Sequence, residues 1–261
     1  MNTLDHYKQA FNSVGWFIPP YITMDFLSTL TKSIRDNGAD FHQQDLERFL
    51  ALIYSPENIS AMATERYPIT PYIRDYKVII SEAVEAHFMG LDHLAVAGLM
   101  PVIEGAGKKL ADSRGVPFKS ITSVFVNLAT DCKNDSKKNN IGAVGELTSM
   151  MDSFIEFAEK HLYTNSDNYS LTDKTNRHGI LHGAYSDNDY GKPINFYKSI
   201  AAVDFLCFIS AFRASISWFA PSPTELSESL AAYYSDCMAL ARKRPNTANK
   251  SLNTDALMRA G

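Results

Sequence analysis

Cysteine is scarce in this chain. Its 261 residues include three, Cys132, Cys207 and Cys237, far apart and with no CxxC or Cys/His metal spacing. An odd, dispersed set excludes a disulfide framework and a zinc ribbon, and fits buried free thiols in a reducing compartment. Excess positive charge is lacking too. The formal net charge is −4 and the pI about 6.0, so nothing draws the whole surface to nucleic acid or anionic lipid. Any polyanion site must therefore be a local basic cluster. Period-two alternation is missing, which removes the half-buried strand as a building block and leaves helical periodicity. The N-terminal "MNTLDHYKQAFNSVGW" has no basic region followed by an apolar run, so no secretory leader is expected and a cytoplasmic location is. The most apolar run, Ile200 to Ala220, is interrupted by Asp204 and Arg213. Either charge costs about 2.5–3.5 kcal/mol at a bilayer centre, so this run is expected as a core helix and no membrane partner is expected.

What the chain does contain suffices for one large core. Apolar residues make up 45% and charged residues 21%, an ordinary globular balance. The pattern predicts an all-α fold, with helices in "TMDFLSTLTKSIRDNG" (closed by Gly38) and "QQDLERFLALIY". The two-proline loop "ERYPITPYIRD" suggests a boundary: residues 1–70 as an N-terminal helical extension, 71–245 as the main helical domain, 246–261 as a polar tail. Two long helices broken near Gly90 follow. The second carries an apolar stripe through Leu91, Leu94, Ala95, Leu99, Val102, Ile103, Ala106 and Leu110, and Pro101 is expected to kink or restart it. "ITSVFVNLATDC" is β-branched enough to be helix or strand. "DCKNDSKKNNIG" reads as a polar loop, "GELTSMMDSFIEFAEKHLY" as an amphipathic helix, Asn195 as a cap for the apolar helix, and Ser222, Pro223 and Glu225 as a capping box.

Several chemical signals fail on inspection. "EGAGKKL" lacks the first glycine and the Ser/Thr of a phosphate loop. "DNDYG" has its glycine one place early for a calcium loop, and Lys198 stands where a bidentate glutamate belongs. His178 and His182 are four apart but lack the glutamate of a zinc-protease helix and an evident third ligand. No metal and no cofactor is expected. His42, His87, His93 and His161 stand alone and read as structural or surface groups.

One stretch survives, "NRHGILHGAYSDNDYG", Asn176 to Gly191. Arg177 and His182 are a pair with which RNA can be cleaved without metal. A 2′-hydroxyl must lose a proton to attack the adjacent phosphate, and the 5′ oxygen must regain one. A histidine titrating near neutrality can carry out either transfer, typically worth about 10²–10⁴-fold. A forked, permanently charged guanidinium can hold the phosphate and its developing charge. A helix end bent at Gly179 and Gly183 would bring the two together. Bare Arg-x4-His spacing arises by chance in a chain this long, and a helix end rich in Arg, His and Gly can also simply hold a turn together.

"RHGILHG" resembles the Arg-x4–6-His motif of the HEPN superfamily, with His178 in the polar place after the arginine and "HG" closing the motif ahead of a packed helix. The larger string, with the upstream "DHLAVAGLMPVIEGAGKKL", is similar to bacterial abortive-infection and toxin proteins of HEPN type over about residues 72–244. The resemblance implies an antiparallel helical bundle that forms a homodimer, so that two motifs share one cleft. It also implies a metal-independent endoribonuclease leaving a 2′,3′-cyclic phosphate, a toxin or anti-phage effector restrained by a regulatory protein or antitoxin. Carried over, Arg177 stabilises the phosphate, His182 is the acid/base, and His178 and Asn176 support them. Substrate RNA would be gripped by Lys192 and Lys198, with Lys133, Lys137 and Lys138 as second choices. Toxins regulated by nucleotidylation carry tyrosine two places after the histidine; here Ala184 stands there and Tyr185 one later, so that regulation is not expected. The alternative is a non-catalytic HEPN-like dimerisation or ligand-binding module.

Overall fold

The computed structural model describes residues 4–245, so the expected polar tail over 246–261 lies outside the described residues. Among the described residues there is no strand, and the all-α expectation holds. The helices are α1 (Asp5–Ser13), α2 (Met24–Asn37), α3 (Gln43–Ile53), α4 (Pro56–Ala61), α5 (Lys77–Phe88), α6 (Asp92–Arg114), α7 (Ile121–Asn139), α8 (Val144–Phe157), α9 (Arg177–Leu181), α10 (Pro193–Ala211) and α11 (Glu225–Lys243). Single π-helical turns, Met62–Arg66 and Ala158–Leu162, extend α4 and α8.

The arrangement is organised around α10. Every residue from Ile194 to Ala211 is buried, because α3, α6 and α7 pack around the helix. A helix apolar on all sides belongs in a core. By length and composition α10 could cross a membrane, and the whole of that apolar window is buried inside this protein. Its first turn is closed from outside: the Ile194 N–H donates to Glu47 Oε2 of α3 at 3.2 Å, a carboxylate at the positive end of the helix dipole. Asn195 is not the cap as expected. Lys192 occupies that position, since Pro193 supplies the first helical residue and the missing N–H costs nothing there.

Other local expectations shift for similar reasons. The β-branched 121–132 stretch is helical, and α7 continues to Asn139, so the expected polar loop with Lys133, Lys137 and Lys138 is the last turns of a helix. Burial of Val124, Phe125, Leu128 and Cys132 on one face overrides the weak strand preference. Pro101 does not restart α6, which runs unbroken for 23 residues. Pro101 itself is exposed and Ala97, whose carbonyl it leaves without a helical partner, is partly exposed. Leu94 is also exposed rather than on the buried stripe. The box before α11 lies two residues later than expected, between Thr224 and Ser227.

The first 70 residues do not close a core of their own. Trp16 and Phe17 are fully buried, and the Phe17 ring meets Phe205 of α10 edge-on at 5.6 Å and Phe154 of α8 at 5.1 Å. Phe154 and Phe205 stack at 3.9 Å. The Ile18 N–H donates to Ser153 Oγ at 3.1 Å, and Ser153 Oγ donates to Asn12 Oδ1 at 2.8 Å. One continuous set of buried side chains runs from Leu4 to Cys237. Phe17→Ala should therefore destabilise the whole chain by about 3–5 kcal/mol. Urea unfolding followed by circular dichroism should remain one transition, moved to lower denaturant. A second transition that Phe17→Ala leaves in place would mean that the N-terminal third folds apart from the rest.

Candidate functional site

The motif is placed by an anchor buried two turns into α10. Lys198 and Asp173 have no exposed side-chain surface, and Lys198 Nζ donates to Asp173 Oδ2 at 2.7 Å and to Gln43 Oε1 at 3.0 Å. Tyr169 Oη donates to Asp173 Oδ1 at 2.9 Å and Thr175 Oγ1 to Asp173 Oδ2 at 2.6 Å. Asn195 Nδ2 donates to the carbonyls of Asp173 and Tyr190 at 2.7 and 2.6 Å, tying both sides of the motif loop to one residue. Burial alone would raise the Asp173 pKa, but the Lys198 ammonium and the hydrogen bonds from Lys198, Thr175 and Tyr169 outweigh it and hold the carboxyl below its ordinary range. Burial in turn lowers Lys198 against the pull of Asp173.

Downstream of this anchor Asn176 caps α9. Its Oδ1 accepts from the Gly179 N–H at 2.9 Å, and its Nδ2 donates to the carbonyls of His161 and Thr164 at 3.0 and 2.8 Å. With no exposed surface and its amide fully engaged, Asn176 shapes the helix start and does not face a substrate. Gly179 has a steric reason: a Cβ there would stand 2.2 Å from Cε2 of the Tyr185 ring. The loop after the motif folds back onto α6 in the same way. His93 Nε2 lies 3.0 Å from the Asp187 carbonyl, and a Cβ on Gly191 would fall 1.9 Å from His93 Cε1. "DNDYG" is a turn in which Asp189 Oδ2 accepts from Ser186 N–H at 2.7 Å and Ser186 Oγ at 2.9 Å.

At the surface Arg177 and His182 converge. Arg177 Nη1 lies 2.8 Å from His182 Nε2. A guanidinium offers only donors, so Nε2 is the unprotonated nitrogen and the ring proton sits on Nδ1. His182 is exposed, whereas the Arg177 side chain is 18% exposed. His178 lies one turn earlier, its ring parallel to that of His182 at 5.7 Å. Burial first, then the charges of Arg177 and His182, push the His178 pKa below its ordinary value.

A residue the sequence did not single out completes the group. Glu104 of α6 accepts from Arg177 Nε and, at 3.3 Å, from Arg177 Nη2, a forked pair. Glu104 lies inside "EGAGKKL", where a carboxylate among small residues on a mostly apolar helix was the available signal. Among the described residues three of the five guanidinium N–H donors are thus engaged, and one on each of Nη1 and Nη2 stays open. Lys108, exposed and four residues beyond Glu104, follows it on the same face of α6.

The remaining candidates separate. Lys198 is sealed in the interior and cannot grip RNA: it neutralises Asp173. Lys192 is partly exposed at the loop end, with Nζ donating to the Thr172 carbonyl at 2.9 Å. Lys133 pairs with Asp152, and Lys137 and Lys138 are exposed at the end of α7. Lys174, with Nζ 5.6 Å from the centre of the Tyr185 ring, is a motif-side cation that spacing did not pick out. No family model, curated protein or solved structure matches this chain.

Two measurements test the anchor. Lys198→Met leaves a buried carboxylate uncompensated and should cost about 3–5 kcal/mol in chemical denaturation. Adding Asp173→Asn should recover a large part, and equal losses in single and double variants would contradict the coupling. His161, whose carbonyl Asn176 holds, reports through pH. Burial first, then the Lys198 charge, moves its pKa from 6.5 down to about 4. The folded state therefore resists a proton that the unfolded chain takes up, so this contribution is whole above pH 6.5 and declines as pH falls towards 4. His161→Gln should flatten the fall of Tm across that window, and an unchanged slope would contradict the assignment.

Proposed function

We propose that the chain is a metal-independent endoribonuclease of HEPN type in which Arg177 and His182 act on one phosphodiester. The observation that carries this reading is the 2.8 Å approach of Arg177 Nη1 to an exposed His182 Nε2. The two groups meet at the surface, where both can reach one phosphodiester. In the proposed reaction His182 Nε2 turns from Arg177 to the 2′-hydroxyl and takes its proton. The 2′ oxygen then forms its bond to phosphorus, and the bond from phosphorus to the 5′ oxygen breaks. The two open N–H groups of Arg177 hold the non-bridging oxygens, with Glu104 fixing the plane of the fork. The 5′ oxygen needs a proton from a second acid; the motif histidine of a second copy of the chain, brought to the same cleft and protonated to the imidazolium, donates it. A homodimer is therefore part of the proposal, and Lys108, Lys174 and Lys192 are the cations offered to the flanking phosphates. Toxicity or phage defence, and restraint by a regulatory protein, follow from the family likeness of "RHGILHG" alone.

A second reading has its own support. Glu104 neutralises Arg177 and Asn176 is wholly occupied in capping, which is also what a non-catalytic HEPN-like dimerisation module would use the motif for. The two part company over RNA. Purified protein incubated with mixed-sequence RNA in excess chelator should cleave it. His182→Ala and Arg177→Ala should each reduce the rate by about 100-fold or more, with unchanged far-ultraviolet circular dichroism. Cleavage that survives both substitutions, or that requires a divalent metal, overturns the nuclease; no cleavage by the unmodified chain leaves the module.

A further inference from the structure

Away from the motif, an apolar cavity of about 340 Å³ opens between the N-terminal helices and α10. Its volume falls in the range of small-molecule sites, roughly 300–1,000 Å³. The wall is aromatic and aliphatic, with Tyr21, Phe26, Tyr54, Met62 and Tyr67 among the residues that line it together with Asp204. Asp204 is 6% exposed on a helix otherwise buried among apolar groups. Tyr67 Oη donates to its Oδ1 at 2.8 Å, and it has no salt bridge among the described residues. An unpaired carboxyl in an apolar wall is costly to ionise, and an asparagine would accept the same hydrogen bond without that cost.

Three further observations turn this cavity towards a ligand. Tyr21 holds φ at +66°, a conformation uncommon for a bulky residue and found at ligand clamps. Its hydroxyl is buried beside the Arg66 guanidinium and makes no hydrogen bond of good geometry among the described residues. Glu57, exposed, lies on the lining and adds a second carboxylate. The nearby cation Arg66 is engaged elsewhere: it lies over the Tyr21 ring, 5.2 Å from its centre, and is tied to the carbonyls of Ser217 and Phe219.

We propose that this cavity binds a small organic cation, an ammonium carried on an apolar or aromatic body, with the charge on the Asp204 carboxylate and the body among the tyrosines and Phe26. Aromatic faces around an ammonium add the attraction of their quadrupoles, and the carboxylate sets the preference for a cation over a neutral isostere. The electrostatics agree. Burial raises the Asp204 pKa from 3.8 to about 7, against the lowering effects of the Tyr67 hydrogen bond and the Arg66 charge. Near neutral pH the empty site is thus divided between acid and carboxylate, and an ammonium selects the carboxylate and expels a proton. Of the other titratable groups around the cavity, burial pushes Tyr21, Tyr54, Tyr67 and Cys207 up, and the Ser55 hydrogen bond lowers Glu57.

The test uses the full chain and three probes of one shape: phenethylamine as the cation, 2-phenylethanol as the neutral form and 3-phenylpropionate as the anion. Calorimetry and thermal shift should show saturable binding of phenethylamine, with the alcohol at least tenfold weaker and the acid weaker still. Binding of the amine should strengthen about tenfold from pH 6 to pH 8, with proton release, as a group with a pKa of about 7 ionises. Asp204→Asn should erase the preference of amine over alcohol while leaving Tm within a few degrees or above it. The pH series on the unmodified chain stands on its own should that variant fail to fold. Equal affinity for amine and alcohol, no binding of the amine, or an amine affinity indifferent to pH between 6 and 8 would overturn the site.

Discussion

The buried ion pair of Lys198 and Asp173 is the constraint from which the surface chemistry hangs. An ammonium and a carboxylate withdrawn completely from water are tolerated only with close geometry and further hydrogen bonds, and Tyr169, Thr175 and Gln43 supply them. That requirement fixes residue 173 against α10. Asn195, one turn away, fixes the loop on both sides of the motif through the carbonyls of Asp173 and Tyr190. A five-residue helix such as α9 is far too short to be stable alone. It exists because the anchor delivers Asn176 to its start and because Gly179 and Gly191 let Tyr185 and His93 lie against the backbone. The exposed Arg177–His182 contact is the end of a chain of interior restraints.

Helix α10 carries two kinds of interior charge, and they behave oppositely. At Lys198 the charge is neutralised by a partner and buried completely. At Asp204, less than two turns on, the carboxyl accepts from a tyrosine hydroxyl, has no salt bridge among the described residues, and lines an apolar cavity. The first arrangement closes space and fixes a loop. The second leaves space open and leaves a charge unmet, and that difference is why one is read as an anchor and the other as part of a binding site.

Much of this was legible in the residues. The all-helical class followed from a missing period-two pattern. The buried character of α10 followed from an apolar run whose two charges argue against lipid. Arg177, His182 and His178 were found as a group because their chemistry is local in the chain, on one short helix and the residue that closes it. What escaped is long-range. Glu104 is 73 positions from Arg177, and nothing in a short window tells a carboxylate that holds a guanidinium from one that is merely soluble. Lys198 misled for the same reason: beyond the motif it reads as a surface cation, and only its pairing with a residue 25 positions earlier shows it to be interior. Local overrides explain the rest. Tertiary burial turned a β-branched stretch into α7, and Pro101 is accommodated within an unbroken α6.

The nuclease account makes a chemical claim more specific than loss of RNA: the attacking group is the substrate's own 2′-hydroxyl. The most direct measurement cleaves a defined oligoribonucleotide in chelator and determines the new ends by mass spectrometry, alongside the same oligonucleotide with a single 2′-deoxy sugar at the cut site. A 2′,3′-cyclic phosphate from the first and no cut at that linkage in the second is the predicted result. A cut across the 2′-deoxy linkage, or a product ending in a free 3′-hydroxyl, would contradict the roles given to Arg177 and His182.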